Sequence, residues 1–257
     1  IASEDAFIQR ITTMCESMTP APRLLMLNYP HNPTGIIASK AFFTQIIALA
    51  QRFGFMVVND FAYARITFDG YTAPSLLEVP GAREVGVEFG SFSKSYNMAG
   101  WRVGYCVGNP TIIEGLGKIK GYYDYGIFSP IQIAGIVAMR DCEDDIATQV
   151  QLYRNRRDVM CEGLERMGWP IEPPKAGMFV WVKIPEPWCR MGSVKFAVEM
   201  MERANVAVTP GAGFGEEGDG YLRLALVENE NRIRQALKQM RRALTEMEKE
   251  GSNGTAA

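Results

Sequence analysis

The first half of the chain alternates short continuous apolar runs with segments in which apolar residues recur every three or four positions. Residues 23–28 (RLLMLN) read as a buried strand, followed by the turn-forming Pro30-His31-Asn32-Pro33-Thr34-Gly35. Ser39 then stands where an N-cap belongs, ahead of a helix over residues 40–53 whose apolar positions are 42, 43, 46, 47, 49 and 50, and Gly54 ends it. Residues 55–59 (FMVVN) form a second strand closing on Asp60, and residues 85–89 and 103–107 form two more. Apolar strands separated by helices predict an α/β fold with a parallel-rich sheet covered on both faces.

The second half reads differently. A charged stretch over residues 144–167, with apolar residues at helical intervals, predicts a long helix stopped by Gly168 and Pro170. Its length suits a connector between two domains. Strands over 178–184, 206–209 and 221–227, a helix over 193–204 capped by Ser193, and a terminal amphipathic helix over 231–249 then make a smaller α+β unit. The expected domains are residues 1–148, with the larger sheet, and residues 149–257, with the interdomain helix and the small unit. No internal repeat is present, and the Gly/Ser/Thr/Ala-rich stretch 249–257 reads as a frayed tail.

Composition narrows the chemistry. The 257 residues include 27 Lys plus Arg against 29 Asp plus Glu, so no basic excess marks a nucleic-acid surface. The single histidine, His31, argues against a multi-His metal site, and any Ser-His or Cys-His pair would rest on it alone. Cys15, Cys106, Cys142, Cys161 and Cys189 contain no C-x-x-C pair and fit free thiols in a reducing compartment. No apolar run approaches the roughly 18 residues of a membrane span. The acidic start Ser3-Glu4-Asp5 has no signal-peptide character, so a cytoplasmic location is expected. The chain opens at Ile1 rather than Met, as if processed, trimmed or cut from something longer.

Four clusters stand at strand ends, where α/β folds place ligands. Asn32, in the first turn, either belongs to that turn alone or offers its amide to a ligand. Asp60 either caps the segment after its strand, the commoner use of such a carboxylate, or faces a cation, and Tyr63 could point into the same site. Ser91-Phe92-Ser93-Lys94 precedes Gly100-Trp101-Arg102-Val103-Gly104. Two hydroxyls and a guanidinium so close in sequence suit a phosphate, and a lysine held beside them could be desolvated and nucleophilic. Arg223, inside the apolar strand Tyr221-Leu222-Arg223-Leu224, meets either an internal carboxylate or one from a substrate.

Taken in order, the motifs N-P-T-G, D-x-x-Y, S-x-S-K, G-W-R-x-G and R-L-A resemble those of the fold-type I, pyridoxal-phosphate (PLP)-dependent aminotransferases of class I/II. The stretches S-F-S-K-S-Y-N-M-A-G-W-R-V-G, Y-Y-D-Y-G-x-F-S-P-I-Q and P-K-A-G-M-F-V-W-V-K-I-P are similar to the bacterial alanine-synthesising, glutamate–pyruvate branch.

The resemblance implies roles. Lys94 matches the lysine that carries PLP as a Schiff base and moves the substrate proton. Asp60 matches the partner of the pyridinium nitrogen. Tyr63 and Asn32 match the groups that bond the ring's phenolic oxygen. Ser91, Ser93 and Arg102 match phosphate ligands, and Arg223, with Asn32, matches the clamp on the substrate carboxylate. Tyr125 is a candidate contact to substrate from a partner subunit, because the family works as homodimers. His31 is expected to be a loop residue rather than a catalyst, and no metal is expected. The family also has a long segment before N-P-T-G, supplying an arm, a phosphate loop and a ring-stacking aromatic, whereas 31 residues precede Asn32 here. The implied reaction is transamination between an amino acid and a 2-oxo acid, with alanine and 2-oxoglutarate as the expected pair. An LL-diaminopimelate, aromatic or aspartate aminotransferase, a PLP C–S lyase, and a truncated non-catalytic domain are the alternatives.

Overall fold

The computed structural model describes residues 3–254, which fall into two compact units. Among the described residues the first comprises 3–31 and 36–150, the second 32–35 and 151–254.

In the first unit, α1 (Glu4–Ser17) leads into β1 (Leu24–Asn28), α2 (Lys40–Phe53) and β2 (Met56–Asp60). The short α3 (Ala82–Val85), β3 (Gly86–Ser91), α4 (Phe92–Ser95) and β4 (Gly104–Gly108) follow. The strands form one sheet in the order β1-β2-β3-β4, with β1, β2 and β3 parallel and β4 antiparallel to β3. Ser39 caps α2 through its side chain, and Gly54 ends the helix in the left-handed region, as the sequence predicts. Phe42, Phe43, Ile46, Ile47 and Ala50 then line one helical face and pack on Leu27 and Val57. Full burial of each large side chain contributes roughly 2 kcal/mol.

Side chains alternate along a strand, so Leu27 and Val57 face α2 while Leu24, Met26 and Met56 point the other way. Among the described residues that second face is exposed along β1, where Met26 is 70% exposed, and buried at β3, where Val87 lies beside Val58. Strand 85–89 shifts: Val85 ends α3, and β3 starts at Gly86. Three helices stand beyond those expected from the sequence: α1, α5 (Pro110–Tyr123) and α6 (Ser129–Asp141). Gly115, Gly117 and Gly121 depress the helix propensity of α5, which has no buried residue, whereas Phe7, Ile8, Ile11 and Cys15 of α1 recur at helical spacing and pack on the core beside α2.

Helix α7 (Glu143–Glu165) matches the long helix of the sequence reading, and the boundary between the units falls within it, between Val150 and Gln151. The second unit continues with β5 (Phe179–Lys183), the short α8 (Glu186–Cys189), α9 (Ser193–Ala204), β6 (Thr209–Pro210), β7 (Tyr221–Ala225) and α10 (Glu230–Gly254). Its sheet is antiparallel in the order β5-β7-β6. Buried Ile233, Leu237, Met240, Leu244 and Met247 recur every three or four residues along α10 and form its apolar face.

Three local expectations change here. Ser193 does not cap α9: Gly192 occupies the N-cap, and the Ser193 hydroxyl instead accepts the Ala212 N–H at 3.0 Å. Strand 206–209 shrinks to β6, because Asn205 and Val206 spend their N–H groups on the last carbonyls of α9. The tail 249–257 is helical to Gly254, and residues 255–257 of that expected frayed stretch lie outside the described residues. The five cysteines are free, and among the described residues no helix is long and apolar enough to cross a membrane.

Candidate active site

The carboxyl ends of β2 and β3 gather the first group of residues singled out by sequence. Asp60 ends β2, opposite Phe89 of β3. Its carbonyl accepts Asn28 Nδ2–H at 2.9 Å, which ties the ends of β1 and β2, and its Oδ1 accepts the Ala62 N–H at 3.2 Å. The capping use expected of such a carboxylate is therefore present, through one oxygen. The turn that follows is closed by bonds from Ala64 N–H to the Phe61 carbonyl and from Ile66 N–H to the Tyr63 carbonyl. It drops the Tyr63 ring inward, where it is 6% exposed.

Ser91 ends β3 and caps α4 by accepting the Ser93 N–H at 3.2 Å. Phe92 and Ser95 are buried, and Phe92 packs with Val103 and Ala138, so α4 is pinned while Ser93 and Lys94 stay half-exposed. Lys94 Nζ lies 5.9 Å from the Tyr63 ring centroid, so the structure brings those two residues together. Arg102 is exposed, has a left-handed backbone (φ 53°) and donates from Nη1 to the Ala99 carbonyl at 3.1 Å. Among the described residues it makes no hydrogen bond to Ser91 or Ser93. A Cβ at Gly104 would lie 2.7 Å from the Gly90 carbonyl oxygen, so glycine lets β4 close against β3 behind these groups. A cavity of about 400 Å³ nearby includes Ser91, Glu88 and Tyr105 in its lining but neither Lys94 nor Asp60.

The second unit holds the other pair. Arg223 of β7 is registered between Trp181 of β5 and Thr209 of β6. Its Nη1 donates to Asn32 Oδ1 at 2.9 Å and its Nη2 to Thr209 Oγ1 at 3.4 Å. The Phe179 and Phe214 ring centroids lie 4.2 and 4.8 Å from its Cζ. Asn32 is thus more than a turn residue: its amide orients a guanidinium.

Tyr125 lies between α5 and α6, 92% exposed, beside the exposed Tyr122, Tyr123 and Phe128. His31 is a loop residue whose N–H donates to the Ile36 carbonyl, and burial pushes its imidazole below the ordinary pKa. No cluster of His, Cys, Asp or Glu among the described residues could hold a metal ion.

Sequence reasoning missed Phe179, Thr209 and Phe214 around Arg223. Strand alternation would have placed Phe179 on the face of Trp181, but nothing local announces the ring of Phe214. It also missed the buried Glu88, whose signal is a carboxylate in the middle of an apolar strand.

The model for "Aminotransferase class I and II" matches residues 2–246. The chain belongs to this family. It is 48% identical over 235 residues to the glutamate-pyruvate aminotransferase AlaC of Escherichia coli, covering 90% of this chain and 56% of that protein. It is 39% identical over 243 residues to an LL-diaminopimelate aminotransferase of Nostoc sp., covering 95% of this chain and 62% of that one. The solved aromatic aminotransferase of Pyrococcus horikoshii superposes with a TM-score of 0.85 at 29% identity, over 91% of this chain and 62% of the other. The chain therefore spans about three-fifths of the length of these relatives.

The aminotransferase family and fold imply PLP as the cofactor. The donor set fits that group. Lys94 is an amine that can bond an aldehyde, and the Asp60 Oδ2, which accepts no hydrogen bond among the described residues, suits a protonated ring nitrogen. Two hydroxyls and a guanidinium suit a phosphate.

Proposed function

We propose that this chain carries the PLP-dependent transfer of an amino group between an amino acid and a 2-oxo acid, with alanine and 2-oxoglutarate (or glutamate and pyruvate) as the pair. One observation carries the reading. Asp60, Ser91, Ser93 and Lys94 all sit at the carboxyl ends of two adjacent parallel strands, where open α/β sheets bind ligands.

PLP, when bound, supplies the electron sink that makes an amino acid's Cα proton removable. Lys94 would hold the cofactor covalently through Nζ until the substrate's amine takes its place. The freed Nζ would then be the base that accepts the substrate's Cα proton and gives it up again, a task for an amine on a short, pinned helix rather than on a loose loop. The Asp60 Oδ2 would accept from a protonated ring nitrogen and keep that proton in place. In the first unit Tyr63 would donate to the ring oxygen and Ser91, Ser93 and Arg102 would take the phosphate; Asn32 is assigned to the ring oxygen by the family resemblance. Arg223 pairs the substrate carboxylate with a planar two-point fork that lysine could not offer.

Alanine is favoured by the 48% identity to the glutamate-pyruvate relative. The 39% identity to an LL-diaminopimelate aminotransferase keeps that substrate as the second reading. We further assign the aromatic surface at Tyr122, Tyr123, Tyr125 and Phe128 to a homodimer contact, with Tyr125 reaching the partner's substrate, and place the protein in the cytoplasm. The exposure of all four rings supports the contact.

Borohydride treatment in the presence of PLP, followed by peptide mass mapping, is expected to leave an adduct on Lys94. Lys94→Ala is expected to abolish transamination, falling by at least about a thousandfold in kcat. Substantial turnover by that variant, or an adduct elsewhere, would refute the assignment. Activity with LL-diaminopimelate but not with glutamate and pyruvate would replace the substrate pair and leave the reaction class standing.

A further inference from the structure

In the second unit two aromatic rings pack on the Arg223 guanidinium, and one of them belongs to a residue to which no role has yet been given. Phe179 and Trp181 lie on β5 and Tyr221 on β7, and the Trp181 and Tyr221 rings stack at 5.4 Å with 10° between their planes. Phe214 comes from elsewhere: it ends the single turn Gly211–Phe214 that follows β6. Its ring meets Trp181 edge-on at 5.8 Å and stands 4.8 Å from Arg223 Cζ.

That turn is fastened close to the sheet. Gly211 is buried so near β7 that a Cβ there would lie 2.7 Å from the Tyr221 carbonyl oxygen. The Ala212 N–H donates to the Ser193 hydroxyl of α9, and the Ser193 N–H in turn donates to Asp219. The loss of Ser193 as a helix cap thus has a counterpart, since its hydroxyl holds the turn that carries Phe214.

We infer that Phe214 is a positioning residue that fixes the plane of the Arg223 guanidinium for two-point pairing with a carboxylate. The inference rests on the reading of Arg223 given above. A guanidinium donates hydrogen bonds only in its plane, and aromatic faces attract it through their quadrupole. Asn32 and Thr209 fix two of its nitrogens at the edge, while the Phe214 and Phe179 rings pack on the group itself. Phe179 belongs to the sheet and to its packing. Phe214 is 39% exposed, so its aromatic character is not explained by core filling. Without the ring, the guanidinium would rotate about its side-chain bonds, and each carboxylate bound would have to restore its orientation.

The test uses the PLP-loaded protein and two readouts: the KM and kcat for the amino-acid substrate, and the affinity for propionate, an unreactive carboxylate, measured by titration. Phe214→Leu is expected to weaken propionate binding and raise KM about fivefold, with kcat falling less than about twofold. Phe214→Tyr, which keeps the ring, is expected to restore both to within about twofold of the parent. Circular dichroism and the melting temperature establish that each variant is folded. Unchanged propionate affinity in Phe214→Leu, or equal loss in Phe214→Tyr, would overturn the inference. Arg223→Lys separates the two levels. If it binds propionate as the parent does, the carboxylate reading of Arg223 itself is wrong; if it loses binding while Phe214→Leu does not, only the role of Phe214 is wrong.

Discussion

Glu88 gives the sharpest test of how the first unit is held together. It lies in β3, 5% exposed, one strand away from Asn59, which is fully buried beside Asp60. Its carboxylate serves three donors. Oε2 accepts from Asn59 Nδ2–H at 3.0 Å and from the Leu76 N–H at 2.8 Å, and Oε1 accepts from the Ser75 hydroxyl at 2.8 Å. Asn59 Oδ1 has no partner, so the bond to Glu88 alone sets the orientation of that amide. Glu88→Ala strands these donors. A buried donor without an acceptor costs about 1–3 kcal/mol. Ser75 is half-buried and can turn to water, which leaves Asn59 and Leu76, both fully buried. Two such groups give about 2–6 kcal/mol. The neighbouring cavity admits water, and removing a carboxylate also removes its own desolvation cost. Both effects favour the lower half of that range, about 3 kcal/mol, or a fall in melting temperature of roughly 6–12 °C for a unit of this size.

Glu88→Gln separates this account from one based on volume. With its oxygen where Oε2 stood, glutamine keeps both buried donors. Its amide nitrogen then faces Ser75 Oγ, which accepts one bond from the Leu77 N–H at 3.1 Å and has a second lone pair to offer. Only the charge assistance is lost, about 1 kcal/mol. Urea unfolding of the parent and both variants, followed by circular dichroism, measures the difference. If Glu88→Gln costs as much as Glu88→Ala, or if Glu88→Ala costs less than about 1 kcal/mol, the donors are not what holds this position.

Two further predictions come from the titratable groups of the second unit. Burial pushes the Cys161 thiol up to about 11, so at mildly alkaline pH it holds almost no thiolate. Timed iodoacetamide labelling with peptide mapping should modify it last of the five cysteines, and early labelling of Cys161 would contradict its burial. Asp219 accepts the Ser193 N–H at 2.6 Å, and that bond holds its carboxyl below the usual 3.8. A depressed folded-state pKa adds stability above the unfolded value, and that stability is lost as pH falls through the folded value. Asp219→Asn should therefore lower the urea midpoint at about pH 7, and the gap to the parent should narrow below about pH 4. A gap that widens in acid would show the sign to be wrong.

What the sequence revealed and what it hid follow the same physical division. Where one residue type has one strong local use, the reading held: Ser39 and Gly54 bracket α2, and the run of apolar positions between them is the face that packs. Where a residue has two uses of similar strength, the sequence could name the candidates but not choose. Ser193 is as good a cap as Ser39, yet its hydroxyl goes to Ala212, a partner 19 positions away that only the folded unit brings near. Helix α5 shows the opposite failure, since three glycines hide a helix that Asn109 caps and Pro110 starts.

The same division runs through the candidate site. Lys94, Asp60 and Arg223 were visible because a charged residue closing or interrupting an apolar run needs an explanation. Phe214 was not, because an aromatic residue in a Gly-rich stretch needs none. Its position over Arg223 depends on three separate close approaches: Gly211 against β7, Ala212 on Ser193, and Ser193 on Asp219. None of these joins neighbours in sequence, and each is weak evidence alone. Together they place one ring on one guanidinium, which is why the chemistry of a site can be read from isolated residues while its precision must be read from the fold.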